Sequence, residues 1–148
     1  MNRWFECKVK YVRIDEQSGK DKKVSEVYLI DAVSFTDAEC RINSELEQLV
    51  SGEFQVTDIK KAIYSDVFMN GEGDRWYKCK IKYSSVDESA GKEKQVTNQM
   101  LILANDLQGA LENLSHSLSG MMVDYVITSI VESTIVDVIP YKEADKVI

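Results

Sequence analysis

The sequence has few of the residues from which most catalytic and metal sites are built. Its 148 residues include one histidine, one proline and three cysteines. The single histidine, His116, excludes a cluster of histidine ligands, and the cysteines lack the close spacings of zinc and redox motifs. We therefore predict no metal and no cofactor, and we expect the cysteines at positions 7, 40 and 79 to be reduced and mostly buried.

Long apolar segments are also absent. No run of about 18 apolar residues occurs, so the sequence predicts no membrane-spanning helix and no membrane partner. The N-terminal stretch MNRWFECKVKY lacks the uninterrupted apolar core of a signal peptide. We therefore expect a cytoplasmic protein.

Acidic residues outnumber basic ones by 25 to 18, which gives a formal charge of −7. A negative protein repels phosphate at long range, so strong binding to nucleic acid is not expected. The charge is distributed unevenly, however: residues 1–24 carry +3 and residues 73–96 carry +2, so the remainder carries −12. Two locally basic segments thus belong to an otherwise acidic chain.

These basic segments are near copies of each other. Residues 3–25, RWFECKVKYVRIDEQSGKDKKVS, align without a gap with residues 75–97, RWYKCKIKYSSVDESAGKEKQVT, and 12 of 23 positions are identical. Farther along, FQVTDI at 54–59 aligns with YVITSI at 125–130. We interpret the chain as two repeats, 1–70 and 71–141, followed by a solvated tail at 142–148. They form either one compact domain or two closely packed subdomains.

Each repeat begins with the pattern of a β-hairpin. Apolar residues alternate with polar ones from Phe5 to Tyr11, which is typical of a half-buried strand. A polar turn with Gly19 follows and favours a return strand, and Gly91 has the same place in the second repeat. The join between the repeats, at 69–74, contains two glycines and is predicted to be a turn.

A helix and further strands are predicted after each hairpin. Ser34 and Asp106 precede apolar residues at helical spacing and are the expected N-caps. The later β-branched segments change their alternation near Thr57 and Thr128, which indicates either a bulge or a break into two strands. The predicted class is α+β, with two tandem ββαβ(β) repeats related by a pseudo-twofold axis. Each repeat is expected to be an antiparallel sheet covered by one helix.

Catalysis has little support in the sequence. No GxSxG, Walker, HExxH or EF-hand spacing occurs, and His116 is expected to be exposed on a helix. Paired acidic residues recur at 15–16 and 87–88, where a two-carboxylate active site is the alternative to solvated turns. We predict no catalytic residue and no enzymatic activity.

The repeated Arg-Trp pair and the lysines after it are the candidate binding residues. Strand alternation places each tryptophan on the same side as its lysines. An exposed tryptophan beside cations is typical of a surface on which nucleic-acid bases stack, whereas a tryptophan packed into the protein is the alternative. The candidates are Arg3, Trp4, Lys8, Lys10, Arg75, Trp76, Lys80 and Lys82.

Several motifs resemble those of one family of small bacterial and phage proteins, classed as a domain of unknown function. The motifs are RWFECKVKY at the start, SFTDAE at 34–39, SGEFQVTDIKKA at 51–62 and GDRWYKCKI at 73–81. The resemblance extends over essentially the whole chain. It implies a bacterial or phage origin and brings no assigned activity.

The sequence therefore predicts a non-enzymatic binding or accessory protein that uses its duplicated hairpin sheets as contact surfaces. A protein partner or self-association is expected, because a duplicated chain offers two related surfaces. The alternative is an accessory protein that binds single-stranded nucleic acid through the tryptophans and lysines.

Overall fold

The computed structural model describes residues 3–69, 71–87, 89 and 91–141. Within these ranges, the side chain of Asp87 is not described. The predicted tail at 142–148 and Glu88 of the second acidic turn lie outside the described residues.

The described chain forms eight strands and two helices, and the predicted α+β class is confirmed. The elements are β1 (Arg3–Ile14), β2 (Asp21–Ala32), α1 (Phe35–Leu49), β3 (Phe54–Lys61), β4 (Tyr64–Phe68), β5 (Arg75–Asp87), β6 (Lys92–Ala104), α2 (Leu107–Ser117), β7 (Tyr125–Glu132) and β8 (Ile135–Ile139). The order strand, strand, helix, strand, strand thus occurs twice.

The strands form two four-stranded sheets, each in a compact unit with one helix. Unit 1 comprises the described residues up to Ala62 and those from Thr134 onward, with the strand order β3-β1-β2-β8. Unit 2 comprises Ile63–Ser133, with the strand order β4-β6-β5-β7. Each long hairpin, β1–β2 or β5–β6, therefore supplies the two central strands of its sheet.

The prediction of purely antiparallel sheets is wrong, because each sheet contains one parallel strand. β8 pairs in parallel with β2, and β4 pairs in parallel with β6, while the other pairings are antiparallel. Each parallel strand follows an element of the other unit in the chain. The units therefore have different boundaries from the sequence repeats 1–70 and 71–141. A five-residue strand shows its β propensity in sequence but not its partner.

The predicted helix caps are confirmed. The Ser34 hydroxyl accepts a hydrogen bond from the Asp37 N–H at 3.1 Å, and the Asp106 carboxylate accepts one from the Gly109 N–H at 2.6 Å. Each helix begins at the residue after its cap, because the cap satisfies an N–H that has no partner within the helix. No helix in the described part of the chain is long and apolar enough to cross a membrane.

Each unit has its own apolar core between the helix and one face of the sheet. The core of unit 1 contains Phe5, Cys7, Val9, Tyr28, Ile30, Ala32, Ala38, Ile42, Leu46 and Ile139. The core of unit 2 contains Tyr77, Cys79, Ile81, Met100, Ile102, Ala104, Ala110, Leu114 and Leu118. The alternate residues of β1 and β5 consequently point to the face away from the helix.

Both predicted irregularities occur in the later strands. Lys8 of β1 lies opposite Asp58 and Val9 lies opposite Val56, so Thr57 is an extra residue in β3. Thr128 is the corresponding extra residue in β7. A break is also present in each segment, because β3 and β4 are separate strands, as are β7 and β8.

Candidate functional site

All eight candidate residues lie on β1 and β5, which are inner strands of the two sheets. Both neighbours of each strand occupy its backbone hydrogen-bonding edges, so only side chains remain for contact with a ligand. The site is therefore a side-chain surface in each unit and not an open sheet edge.

The candidate lysines lie on the sheet face that does not carry the helix. In β1, Phe5, Cys7 and Val9 enter the core, and Lys8 and Lys10 alternate with them. Lys80 and Lys82 have the same relation to Cys79 and Ile81 in β5. All four lysine side chains are exposed. We call Lys8, Lys10, Lys80 and Lys82 the lysine rows.

The extra threonines of the bulges hold the backbone beside the lysine rows. The Thr57 hydroxyl donates to the Lys8 carbonyl oxygen at 3.3 Å, and the Thr128 hydroxyl donates to the Lys80 carbonyl oxygen at 3.2 Å. Because a bulge bends and twists its strand locally, it re-aims the neighbouring side chains. Each row thus begins at the same irregularity of its sheet.

The two tryptophans have different environments despite their nearly identical sequence context. Trp76 is 5% exposed and is part of the buried interior, whereas Trp4 is half-buried. Both carbonyl groups accept a backbone hydrogen bond, from Ala62 to Trp4 at 2.9 Å and from Ser133 to Trp76 at 2.8 Å. Base stacking requires an open ring face, so only Trp4 offers part of a stacking surface.

The candidate arginines are exposed, and one of them makes an ion pair. The Arg75 guanidinium lies 3.9 Å from the Glu132 carboxylate, and each side chain is 56% exposed. An ion pair this accessible to water contributes little to stability. Arg75 therefore remains available for exchange with another anion, and Arg3 is exposed at the aligned position.

A groove of about 360 Å³ in unit 2 contains one candidate residue. It is open to solvent where the β5–β6 hairpin extends beyond the start of β7. The groove is lined by Lys82, Tyr83, Ser84, Gln95, Asp124, Tyr125, Val126 and Thr128. Its charged groups have opposite signs, so the groove has no strong preference for an anion.

A cluster of two tyrosines and one carboxylate occurs in unit 1, and sequence reasoning missed it. The Tyr11 hydroxyl donates to one Glu26 oxygen, and the Tyr28 hydroxyl lies 3.4 Å from the other. Burial, reinforced by the Glu26 charge, raises the pKa of Tyr28 to about 12. The hydrogen bond to Glu26 also raises the pKa of Tyr11.

These phenols remain protonated near neutral pH and act as hydrogen-bond donors to Glu26. At the aligned positions of unit 2, Asn98 donates to the Tyr83 hydroxyl at 3.3 Å and Met100 replaces the second tyrosine. The Tyr11–Glu26 separation of fifteen residues across a hairpin was the available sequence signal. The cluster binds the two hairpin strands together and is not a nucleophile.

The cysteines and the histidine occupy positions that do not combine into a reactive site. Burial raises the pKa of the Cys7 thiol to about 12 and that of Cys79 to about 11, so both stay protonated near neutral pH. Cys40 and His116 are exposed, on α1 and α2 respectively. Among the described residues, no group of three or more histidine, cysteine, aspartate or glutamate side chains is arranged to hold a metal.

Comparison with known proteins identifies one family. A family model described as a domain of unknown function, DUF4494, matches residues 3–141. No curated protein and no solved structure matches the chain. The family description names no activity.

Proposed function

We propose that this chain, which belongs to the DUF4494 family, is a non-enzymatic binding protein. Its contact surfaces are the lysine rows on the central hairpins of the two sheets. Its partner is a protein with an acidic surface. The proposal also takes the chain to be a duplicated protein that acts in the cytoplasm of a bacterium or of a phage-infected cell.

One observation carries the proposal: the lysine rows are exposed and make no ion pair with any described residue. In contrast, Lys60 of β3 lies 3.5 Å from the Glu6 carboxylate. In a chain of charge −7, these four lysines thus lie at aligned positions of two sheets without an ion pair to the described part of the chain, although Lys8 is opposite Asp58 in the strand register. They concentrate positive potential where an acidic partner would be steered.

The proposal is tested with a pair of variants that change the net charge equally. Lys8→Gln/Lys80→Gln removes one cation from each row, and Thr36→Glu/Gln108→Glu adds two anions on exposed first turns of the helices. Each tagged protein is used for affinity capture from the native host, followed by quantitative mass spectrometry. We expect about a tenfold loss of partner for the lysine variant, because each exposed charge pair contributes under about 1 kcal/mol.

The helix variant should recover the partner at the wild-type level, since acidic residues are tolerated in the first turn of a helix. Equal recovery by the lysine variant and the wild type would contradict the proposed surface. Catalytic turnover of a substrate by the purified chain would contradict the non-enzymatic assignment.

Single-stranded nucleic acid is the second candidate partner, and the half-buried Trp4 on the same strand as the exposed Lys8 is the observation that favours it. The buried Trp76 weighs against it, because the second ring has no open face. We expect oligothymidine to leave the tryptophan fluorescence unchanged at low salt. Quenching that disappears in Trp4→Phe and weakens steeply with added salt would instead favour nucleic acid.

A further inference from the structure

Strand β7 forms an edge of the sheet in unit 2 and has almost no charged side chain. Its eight residues, Tyr125–Glu132, carry a single charge, at the last position. Val126 is 65% exposed and Val131 is 59% exposed. An exposed apolar edge strand is a ready template for pairing with another strand.

The aligned edge strand β3 of unit 1 shows how such an edge is usually protected. The residues that point away from the core are Gln55, Asp58 and Lys60 in β3, and they are Val126, Ser129 and Val131 in β7. Charged residues on an edge discourage pairing with a second chain. Both strands contain the same bulge, so the bulge cannot explain why their outward-facing residues differ. The lack of charged residues on the outward face is therefore specific to β7.

The remaining edges of the two sheets are shorter. β4 and β8 have five residues each, and each includes an aspartate, at 66 and 137. Short edges with a charge are poor templates. Among the described strands, β7 is therefore the edge best suited to add a strand.

We propose that β7 pairs antiparallel with β7 of a second copy of the chain, which joins the two unit 2 sheets across a twofold axis. The twofold pairing places Val126 opposite Val131 of the partner copy and Ile127 opposite Ile130. The extra residue, Thr128, then lies opposite Ser129, at the centre of the contact. No lysine of the rows takes part, so the inference goes beyond the proposed function.

The bulge at Thr128 is what makes this register compatible with both sheets. Directly opposed residues of an antiparallel pair must point to the same face. Val126 and Val131 both face away from the core, and Ile127 and Ile130 both pack against it. In a regular strand these pairs would have opposite faces, because five and three residues separate them. The extra residue restores the match.

Self-complementarity favours a second copy over other occupants of this edge, because the twofold register pairs apolar residues that share a face. Two chains of charge −7 repel each other, and they approach most easily where neither presents charge. Positions 125–131 supply such a neutral strip, in which Val126 meets Val131 of the partner copy. An extended peptide from another protein would need the same facing pattern of apolar residues and a bulge at the matching position. A second copy of β7 has both.

The size of the contact limits the strength of the dimer. Eight residues form a strip about 27 Å long at roughly 3.4 Å per residue, which is a small interface for a stable dimer. Interfaces that bury less than about 1,200 Å² are typically weak and transient. The dimer should therefore be reversible and visible only at high protein concentration.

Sedimentation velocity of the full chain between about 10 µM and about 1 mM, where weak interfaces are populated, tests the proposal. We expect the wild type to shift from monomer toward dimer over this range. Val131→Lys, which restores the lysine of β3, should remain monomeric with an unchanged circular dichroism spectrum. Val136→Lys is the matched control on β8, where the valine is 48% exposed, and it should dimerise like the wild type.

A wild type that stays monomeric at the highest concentration would overturn the proposal, even if it captured a foreign peptide. A dimer that Val131→Lys does not weaken would overturn the assignment to β7. The register has its own test, in a Cys40→Ser background with oxidised glutathione as the oxidant. Mixed Val126→Cys and Val131→Cys chains should form a disulfide with each other at least about fivefold faster than either forms with itself, and equal rates would contradict the register.

Discussion

Replacing Ile139 with alanine is expected to make the Cys7 thiol at least about tenfold more reactive toward an alkylating reagent. Ile139 belongs to β8, near the end of the described chain, yet it packs in the core that contains Cys7. Removing such a buried side chain costs about 2–5 kcal/mol, and every 1.4 kcal/mol changes an opening equilibrium tenfold. Alkylation at pH 8, with each cysteine peptide quantified by mass spectrometry, measures the effect.

The high pKa of Cys7 makes this measurement selective. In the folded protein, burial raises the pKa of that thiol to about 12, so the reactive thiolate forms only when unit 1 opens. Cys79 lies in the core of unit 2 and should respond less to the same substitution. Val136→Ala is the control, because Val136 is 48% exposed in the same strand.

A larger increase at Cys79 than at Cys7 would contradict the pairing of β8 with β2. Cys79 is the cysteine in the same half of the sequence as Ile139. This result would therefore indicate that β8 packs in the core that contains Cys79. The experiment thus decides between the strand order of unit 1 and a simple tandem arrangement.

Gly73→Ala is expected to destabilise the protein by about 3 kcal/mol, near the upper end of what overpacking usually costs. A Cβ atom at this position would lie 2.4 Å from the carbonyl carbon of Ala104. Backbone cannot move aside as the tip of a flexible side chain can, so the start of β5 or the end of β6 must shift. Urea denaturation followed by circular dichroism measures the loss.

Gly120→Ala is the matched control for this prediction. No atom lies within 4 Å of a Cβ built at Gly120, and its φ is not positive. The substitution should change the free energy of unfolding by less than about 1 kcal/mol, with stabilisation as the expected sign. Equal effects of the two substitutions would show that the contact between Gly73 and Ala104 is not tight.

The glycines also illustrate what local sequence patterns predict well. Gly19 and Gly91 have φ values of 68° and 64°, as expected for the polar hairpin turns that contain them. Gly73 was predicted to belong to a turn between the repeats, and its φ is not positive. A glycine is required there because the segment before β5 lies close to the backbone of Ala104 at the end of β6, and this contact cannot be read from the neighbours of Gly73.

In the candidate site, too, local sequence patterns predicted some features, while others depend on contacts distant in sequence. Strand alternation placed Lys8 and Lys10 on the face away from the core, because side chains in a strand alternate wherever it lies. The burial of Trp76 and the partial exposure of Trp4 were not predictable, since RWF and RWY predict the same local structure. Burial depends on residues that are distant in sequence.

The sequence alone determined the elements whose causes are local: two hairpins, two capped helices, an irregularity near Thr57 and another near Thr128, and lysines on the outward face of β1 and β5. Only the tertiary structure decided which strands are partners, because β8 and β4 each pair with a strand of the other half through contacts distant in sequence. It also decided that β7 is an edge, which turns Val126 and Val131 from ordinary strand residues into an unprotected surface. Short-range sequence patterns determine whether a segment forms a helix or a strand. Long-range packing determines which other segments pair with it or cover it.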